Sequence, residues 1–197
     1  MLSLMNIAFD SSDLILFIDA SRGGCQFSSH ACVREAANAT FRLFLYCRPF
    51  IVRTVMAEAE RIIKEDANLR LHMLSISSML AECRPDDGQI LKIERRAAEL
   101  ARFHVGQMDE FIQVGERERR HVAEMNDCRI LAEVEMCKVP MFVTWDWKLK
   151  RHLSPHTTVR IQEPVECWQS LEVPPGTEPQ WSPAPGNPLA KETWWQW

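Results

Sequence analysis

Short apolar runs alternate with helical stretches in this chain, and this alternation limits the possible fold more than any other feature of the sequence. Residues 14–18 (LILFI) are apolar throughout and end at Asp19, which predicts a strand buried on both faces of a sheet. Residues 32–47 have apolar positions at helical spacing; a short strand is predicted at 50–52 and a second helix at about 54–65. This order is typical of an α/β protein with a parallel sheet and right-handed crossovers.

The second half of the sequence continues this alternation. The predicted elements are a helical region at 68–102 broken by a turn at 85–88, a short strand at 111–114, a helix at 127–137, a strand at 141–145 followed by Asp146, an edge strand at 159–161, and a helix from Pro164 to about residue 171. We therefore expect a three-layer α/β/α sandwich with a mainly parallel sheet of four or five strands.

The composition changes after residue 171. Residues 172–197 hold six of the eleven prolines and four of the seven tryptophans, without a period that indicates a packed element. We predict one domain, residues 1–171, followed by a flexible Pro- and Trp-rich tail, residues 172–197.

Charge and cysteine content narrow the class of protein. The net charge of −4 excludes a general basic field, so binding to nucleic acid would depend on local basic patches. The seven cysteines include no C-x-x-C pair, which favours reduced thiols and a cytoplasmic protein. The sequence also has no apolar stretch long enough to predict a membrane span.

Four acidic residues carry the functional prediction. Asp19 and Asp146 follow predicted parallel strands, Asp127 is predicted to open a helix, and Glu58 falls in the first turns of another helix. Such junctions lie at one edge of the sheet, so we expect the four carboxylates to converge. Carboxylates at close range raise one another's pKa unless a cation lies between them, and oxygen ligands favour Mg²⁺ or Mn²⁺. A metal ion held by carboxylates and water can promote hydrolysis of a phosphodiester.

At these residues the chain resembles the PIN-domain nucleases, a family that includes the VapC-like toxins of bacterial toxin–antitoxin pairs. The matching stretches, in order, are LILFIDAS, VMAEAERII, NDCRILAEVEM and MFVTWD, and VRIQEPVECWQSL resembles the final strand, proline and helix of that family. The resemblance covers roughly residues 13–171.

The resemblance implies a PIN-like fold and a Mg²⁺- or Mn²⁺-dependent endoribonuclease with Asp19, Glu58, Asp127 and Asp146 as metal ligands and catalytic residues. It also implies RNA products with a 5′-phosphate and a 3′-hydroxyl, a homodimer, and, for a toxin, an antitoxin partner. The segment between Glu58 and Asp127 is longer than in compact toxins, and Asn126 stands where many relatives carry a lysine.

Several alternatives stay open at this stage. Glu60 competes with Glu58, because two residues so close on a helix cannot both face the site. An acid at the end of a strand or the start of a helix is commonly a structural cap. A catalytically inactive PIN-like scaffold that binds RNA or protein is the main alternative function. A phospho-acceptor receiver domain would need a pair of adjacent acids after its first strand. This chain lacks that pair, since Asp19 follows Ile18.

Residues beside the acids are candidates for contacts with the substrate. Ser21 and Thr144 are predicted to bind a ligand or phosphate, and Lys148, Lys150 and Arg151 to contact the RNA backbone. A second basic cluster, residues 117–121, precedes Asp127. Trp145 and Trp147 are candidates for stacking on unpaired bases, although the alternation of side chains along a strand places one of them in the core.

Overall fold

The computed structural model describes residues 5–21, 31–64, 66–77, 81–82, 85–105, 114–174, 187 and 189. Its strands are β1 Asn6–Phe9, β2 Arg48–Ile51, β3 Ala81–Glu82, β4 Met141–Val143 and β5 Arg160–Gln162. Its helices are α1 Ser11–Ser21, α2 Ala31–Tyr46, α3 Arg53–Ile63, α4 Ala67–Ser77, α5 Asp87–His104, α6 Val114–Met136, α7 Trp147–Leu153 and α8 Pro164–Ser170, with a 3-10 turn at Ser154–His156.

The five strands form one sheet in the order β3-β2-β1-β4-β5, and each of the four strand pairings is parallel. The central strand β1 pairs Ile7 with Pro49 of β2 on one side and with Met141 of β4 on the other. Helices pack on this sheet, so the arrangement is compatible with an α/β sandwich. The predicted α/β class and parallel sheet are confirmed.

The core lies around β1 and the two helices that follow it. Ile7, Ala8 and Phe9 are fully buried, as expected for the central strand of a parallel sheet. The Phe44 ring of α2 stacks on Phe9 with ring centroids 4.0 Å apart and on Phe17 of α1 at 4.3 Å. Burial and stacking of these aromatic rings stabilise this part of the molecule.

The first predicted strand is wrong. Residues 14–18 lie within helix α1, and the strand is the preceding segment Asn6–Phe9. Leu14, Phe17 and Ile18 are buried whereas Ile15 is only partly buried, which is the three- and four-residue spacing of a helix that packs one face on a sheet. Five consecutive apolar residues fit this pattern as well as they fit a buried strand.

Two other predicted boundaries differ from the structure. Helix α6 begins at Val114, so Asp127 lies inside a helix and does not open one. The strand predicted at 111–114 is wrong at Val114, where the structure is helical, and residues 111–113 lie outside the described part of the chain. The predicted break at 85–88 is the start of α5, where Asp86 caps the helix in a capping box with Gln89.

The tail contributes at least two residues to the domain. Asn187 and Leu189 are buried, and the Asn187 Nδ2 group donates to the carbonyl oxygens of Phe44, Leu45 and Cys47 at 2.7, 3.0 and 2.5 Å. These carbonyls lie where α2 ends and β2 begins, so the Asn187 side chain supplies donors to the end of the helix. Asn187 and Leu189 therefore pack on the domain beyond residue 171, while the predicted boundary at residue 171 stays a prediction. Most of the remaining tail lies outside the described residues.

Two findings concern the cysteines and membranes. Cys137 is disulfide-bonded, so the expected reduced state is wrong at this position, while Cys47, Cys128 and Cys167 are free and buried. Within the ranges described above, no helix combines the length and apolar character needed to cross a membrane.

Candidate functional site

The candidate site lies at the carboxyl ends of β1 and β4, which are neighbours in the sheet. Asp10 directly follows β1, and its backbone N–H donates to Val143 O at 3.1 Å, which joins the two strand ends. From β1 the chain continues to β2 and β3 on one side, while β4 and β5 lie on the other. At such a reversal, open parallel sheets usually bind their ligands, at the carboxyl ends of the strands.

Asp10 is held by donors from both strand ends. Its Oδ1 accepts from the Ser11 backbone N–H at 2.7 Å, and its Oδ2 accepts from the Thr144 hydroxyl at 2.9 Å. The Thr144 hydroxyl oxygen in turn accepts from the Asp146 N–H at 3.0 Å. The buried Thr144 therefore links the carboxylate after β1 to the loop after β4.

Glu58 approaches this cluster from α3. Its Oε2 accepts from the Ser11 hydroxyl at 3.0 Å, and its Oε1 accepts from Asn126 Nδ2 at 2.7 Å. Glu60 is exposed, so the structure distinguishes the two competing glutamates and brings Glu58 to the site.

A second glutamate fixes the helix that carries Glu58. Glu133 of α6 accepts from the backbone N–H of Thr54 at 3.0 Å and from its hydroxyl at 2.9 Å, in the first turn of α3. A carboxylate at a helix N-terminus is favoured by the helix dipole. This contact holds α3 against α6 and so sets the approach of Glu58.

Asp127 and Asp146 complete the acidic group by different routes. Asp127 projects from the interior of α6, with its Oδ2 3.7 Å from Nε2 of the buried His104. Asp146 is the N-cap of α7, and its Oδ1 accepts from the backbone N–H groups of Lys148 at 2.7 Å and Leu149 at 3.1 Å. The capping role anticipated as the structural alternative for these acids thus applies to Asp146.

The pKa values show that the carboxylates act on one another. Burial and then the negative charge of Asp127 raise the pKa of Asp10 to about 6, with a smaller contribution from Glu58. Burial also raises the pKa of Asp127, as do the charges of Asp146 and Glu58, while His104 opposes the rise. Such mutual repulsion has a free-energy cost that a bound cation would relieve.

Asp19 lies within helix α1 and not at the end of a strand, and its side chain is outside the described part of the chain. Asp19 is the ninth residue of α1, and at 1.5 Å per residue it lies roughly 12 Å along the helix axis from Ser11. Asp10 occupies the strand-end position that the sequence analysis assigned to Asp19. The signal for Asp10 was available, because Ile7-Ala8-Phe9 precedes it and Ser11, Ser12 and Asp13 then favour the start of a helix.

Of the residues predicted to contact the substrate, the structure brings some to the acids and not others. Thr144 lies in the site, whereas Ser21 is the last residue of α1. Lys150 Nζ contacts Glu166 at 2.5 Å and Glu163 at 3.4 Å, so its charge is already paired. The Lys148 ammonium lies 6.0 Å from the centre of the exposed Trp147 ring next to the site, and Arg151 is exposed.

Trp145 is a structural residue, while Trp147 is available to solvent. The Trp145 indole donates to Asp13 Oδ1 at 2.7 Å, and the same oxygen accepts from the Thr40 hydroxyl at 2.8 Å. Asp13 is completely buried and its pKa is raised, first by burial and second by Asp10. The second basic cluster, residues 117–121, lies on α6, but its side chains are outside the described part of the chain.

Sequence reasoning missed several residues that shape the site. Asn126, noted only because it replaces a lysine, is a hydrogen-bond donor to Glu58. Asp13 and His104 are buried beside the acids, and His152 contacts His104. His104 directly follows the helical region predicted at 68–102, and no motif in the sequence relates it to Asp127, so only the tertiary structure brings the two together.

The donor chemistry fits a hard divalent cation, but the acids are not assembled as a ready metal site. Oxygen atoms alone come from Asp10, Glu58, Asp127 and Asp146, and such ligands suit Mg²⁺ or Mn²⁺. No group of three or more His, Cys, Asp or Glu side chains within the described ranges is positioned to hold a metal ion. The acids nevertheless lie close enough to influence one another's pKa values.

A cavity opens beside Glu58, between α3, α5 and α6. It has a volume of about 440 Å³, and Glu58 and Asn126 lie on its wall together with Arg53, Arg61 and Arg129. Arg129 forms a bidentate contact with Glu94, at 2.8 and 3.1 Å, while Arg53 and Arg61 are exposed. The cavity thus has cationic groups next to Glu58, one of the four acids.

Comparison with known proteins gives no relative for this chain: no protein-family model, curated protein or solved structure matches it.

Proposed function

We propose that this protein is a Mg²⁺- or Mn²⁺-dependent endoribonuclease with a PIN-like three-layer fold, whose acidic site comprises Asp10, Glu58, Asp127 and Asp146. The observation that carries the proposal is the electrostatic coupling of these carboxylates at the carboxyl ends of β1 and β4. The resemblance of the segments around Glu58, Asp127 and Asp146 to PIN nucleases supports the same chemistry.

Each residue has a role that follows from its contacts. Asp10 and Asp127, the two acids with raised pKa values, would be the main ligands of the cation. Thr144 holds Asp10, and Ser11 with Asn126 holds Glu58. When bound, the cation supplies positive charge and Lewis acidity for hydrolysis of the phosphodiester.

RNA is proposed as the substrate because cationic and aromatic side chains lie near the acids. Arg53 and Arg61 on the wall of the cavity would contact phosphates, and the exposed Trp147 beside Asp146 would stack on an unpaired base. These features favour RNA with single-stranded segments.

The test is cleavage of mixed RNAs by purified protein in Mn²⁺ or Mg²⁺, with an EDTA control. We expect Asp10→Asn and Asp127→Asn to reduce the cleavage rate by about 10²- to 10³-fold, as removal of one key electrostatic group commonly does. The matched control is Glu60→Gln, which removes the same type of charge at an exposed position of α3 and should retain activity. Cleavage that persists in EDTA or in Asp10→Asn would refute the mechanism.

A catalytically inactive PIN-like scaffold is the second candidate function. It is favoured by the finding that the acids within the described ranges are not positioned as a metal site. It predicts RNA or protein binding without cleavage, together with no stabilisation by Mn²⁺. A thermal unfolding series in Mn²⁺ separates the two candidates, because a cation that binds the native acids raises the unfolding temperature.

The proposal also includes a role as the toxin of a toxin–antitoxin pair. A VapC-like toxin would slow growth when expressed without its antitoxin and would purify as a homodimer. Growth arrest that is abolished by Asp10→Asn but not by Glu60→Gln would support this role.

A further inference from the structure

A chain of contacts connects the acidic site to the surface through two histidines. His104 is the last residue of α5 and only 1% exposed, and its Nε2 lies 3.7 Å from Asp127 Oδ2. The Nδ1 atoms of His104 and of the partly exposed His152 on α7 are 3.2 Å apart. Asp127, His104 and His152 therefore form a continuous line.

The short contact between the two Nδ1 atoms constrains where the protons are. Two nitrogens at 3.2 Å require that one of them carries the hydrogen and the other accepts it. If His104 donated from Nδ1 as a neutral ring, its Nε2 would present a lone pair to the Asp127 carboxylate. If His152 donates instead, the neutral His104 carries its hydrogen on Nε2, directed at Asp127.

The burial of His104 favours the second arrangement. Its Nε2 is buried and has no hydrogen-bond partner at normal distance among the described residues. A buried N–H beside a carboxylate gains a charge-assisted interaction if the two move closer by less than 1 Å, whereas a buried lone pair beside a carboxylate is repelled.

We infer that His104 is a positioning residue that orients Asp127 through its Nε2–H group, and that His152 fixes this tautomer by donating its Nδ1–H to His104. The importance of Asp127 rests on the proposed function, but the tautomer does not. In metalloproteins, carboxylate–histidine contacts fix the orientation of the ligand in the same way.

The direct test is the ¹⁵N–¹H correlation spectrum of the imidazole rings in the metal-free protein at mildly alkaline pH. We expect a single His104 tautomer with the hydrogen on Nε2, and a mixture of tautomers in His152→Ala. His152→Asn, which keeps an N–H donor, should restore the single tautomer. The matched control is His156→Ala, which removes a neighbouring imidazole that stacks on Phe103 with ring centroids 3.6 Å apart.

Two results would overturn the inference: a His104 ring with its hydrogen on Nδ1 in the wild type, or a His104 tautomer that is unchanged in His152→Ala. If His152→Ala does not fold, the wild-type spectrum alone decides the question.

A second measurement addresses the effect on the site. In His104→Phe, the Mn²⁺ concentration for half-maximal cleavage should rise about tenfold, with a smaller change in the maximal rate, because the orientation of a ligand mainly affects metal affinity. His104→Gln, which keeps a donor, should recover part of the loss. If the wild type does not cleave RNA, the proposed function fails, while the spectrum still decides the tautomer.

Discussion

One polar region lies around Asn187, where α2 ends and β2 begins, and another lies around Asp10 at the carboxyl end of β1. The buried polar groups of the two regions are paired to different extents. Around Asn187, the Nδ2 group reaches three carbonyls, and its Oδ1 accepts from the Leu189 N–H at 2.9 Å. Around Asp10, acids repel one another, and both Asp13 Oδ2 and His104 Nε2 are buried without hydrogen-bond partners among the described residues. In the region around Asn187, called the satisfied region below, the polar groups have hydrogen-bond partners and stabilise the fold. In the region around Asp10, called the strained region below, unpaired and mutually repelling groups retain a free-energy cost, as is typical of functional sites.

The largest expected effect comes from breaking the satisfied region. Asn187→Ala removes three donor contacts to buried carbonyls and should lower the free energy of unfolding by about 3 kcal/mol, measured by urea denaturation. Asn187→Asp should be at least as unstable, because a carboxylate cannot donate to carbonyls. A loss below about 0.5 kcal/mol would show that the satisfied region does not stabilise the fold.

A smaller loss is expected when the link between the two strand ends is removed. Thr144→Val preserves shape but deletes the hydroxyl that donates to Asp10 and accepts from the Asp146 N–H. Stability should fall by about 1.5 kcal/mol. Because that hydrogen bond lowers the pKa of Asp10, the pKa in the variant should rise above about 6, as followed by NMR titration of the carboxyl group. An unchanged pKa would contradict the assigned link.

The strained region should respond in the opposite direction. Asp10→Asn removes one of the mutually repelling charges and should stabilise the protein at pH 7 by about 1 kcal/mol, after allowance for solvent screening. The folded pKa of about 6 exceeds the ordinary 3.8, so the native state binds more protons between these values. The cost of Asp10 is therefore present above pH 6 and disappears as the pH falls toward 3.8.

The measurement for Asp10→Asn is chemical denaturation at several pH values. The gain in stability should shrink steadily between pH 6 and pH 4, whereas the effect of Asn187→Ala should not follow this pH dependence. A gain in Asp10→Asn that is equal at pH 7 and pH 4 would contradict the electrostatic explanation.

The smallest effect is expected outside both regions. Glu60 is exposed on α3, two residues from Glu58, so Glu60→Gln should change stability by less than about 0.5 kcal/mol. Glu58→Gln changes a group that accepts from Ser11 and Asn126 and should change stability measurably more. Equal effects in the two variants, by thermal unfolding, would indicate that Glu58 has no special environment.

The sequence predicted the helices and strands whose apolar residues follow one clear spacing. The prediction failed where helix spacing and strand spacing fit the apolar residues equally well. Helices α2, α3 and α8 and strands β2, β4 and β5 fall close to their predicted positions because periodicity or flanking prolines define them. The LILFI segment was assigned to the wrong type of element, which moved the first acid from Asp10 to Asp19. For Asp127, the charged stretch before it continues the same helix, so no local signal marked it as interior.

Contacts between distant segments could not be predicted at all. The proximity of His104 to Asp127 depends on how α5 packs on α6, and the role of Asn187 depends on a segment whose composition indicates disorder. Asn187 is buried and bonded to the domain although the composition around it indicates disorder.

The contact made by Asn187 also has a consequence for biosynthesis. Its Nδ2 group reaches the Cys47 carbonyl across 140 residues of sequence. On a translating ribosome, the end of α2 emerges long before the asparagine that completes it. We therefore expect the nascent polypeptide to gain its full protease resistance only after residue 187 has left the exit tunnel.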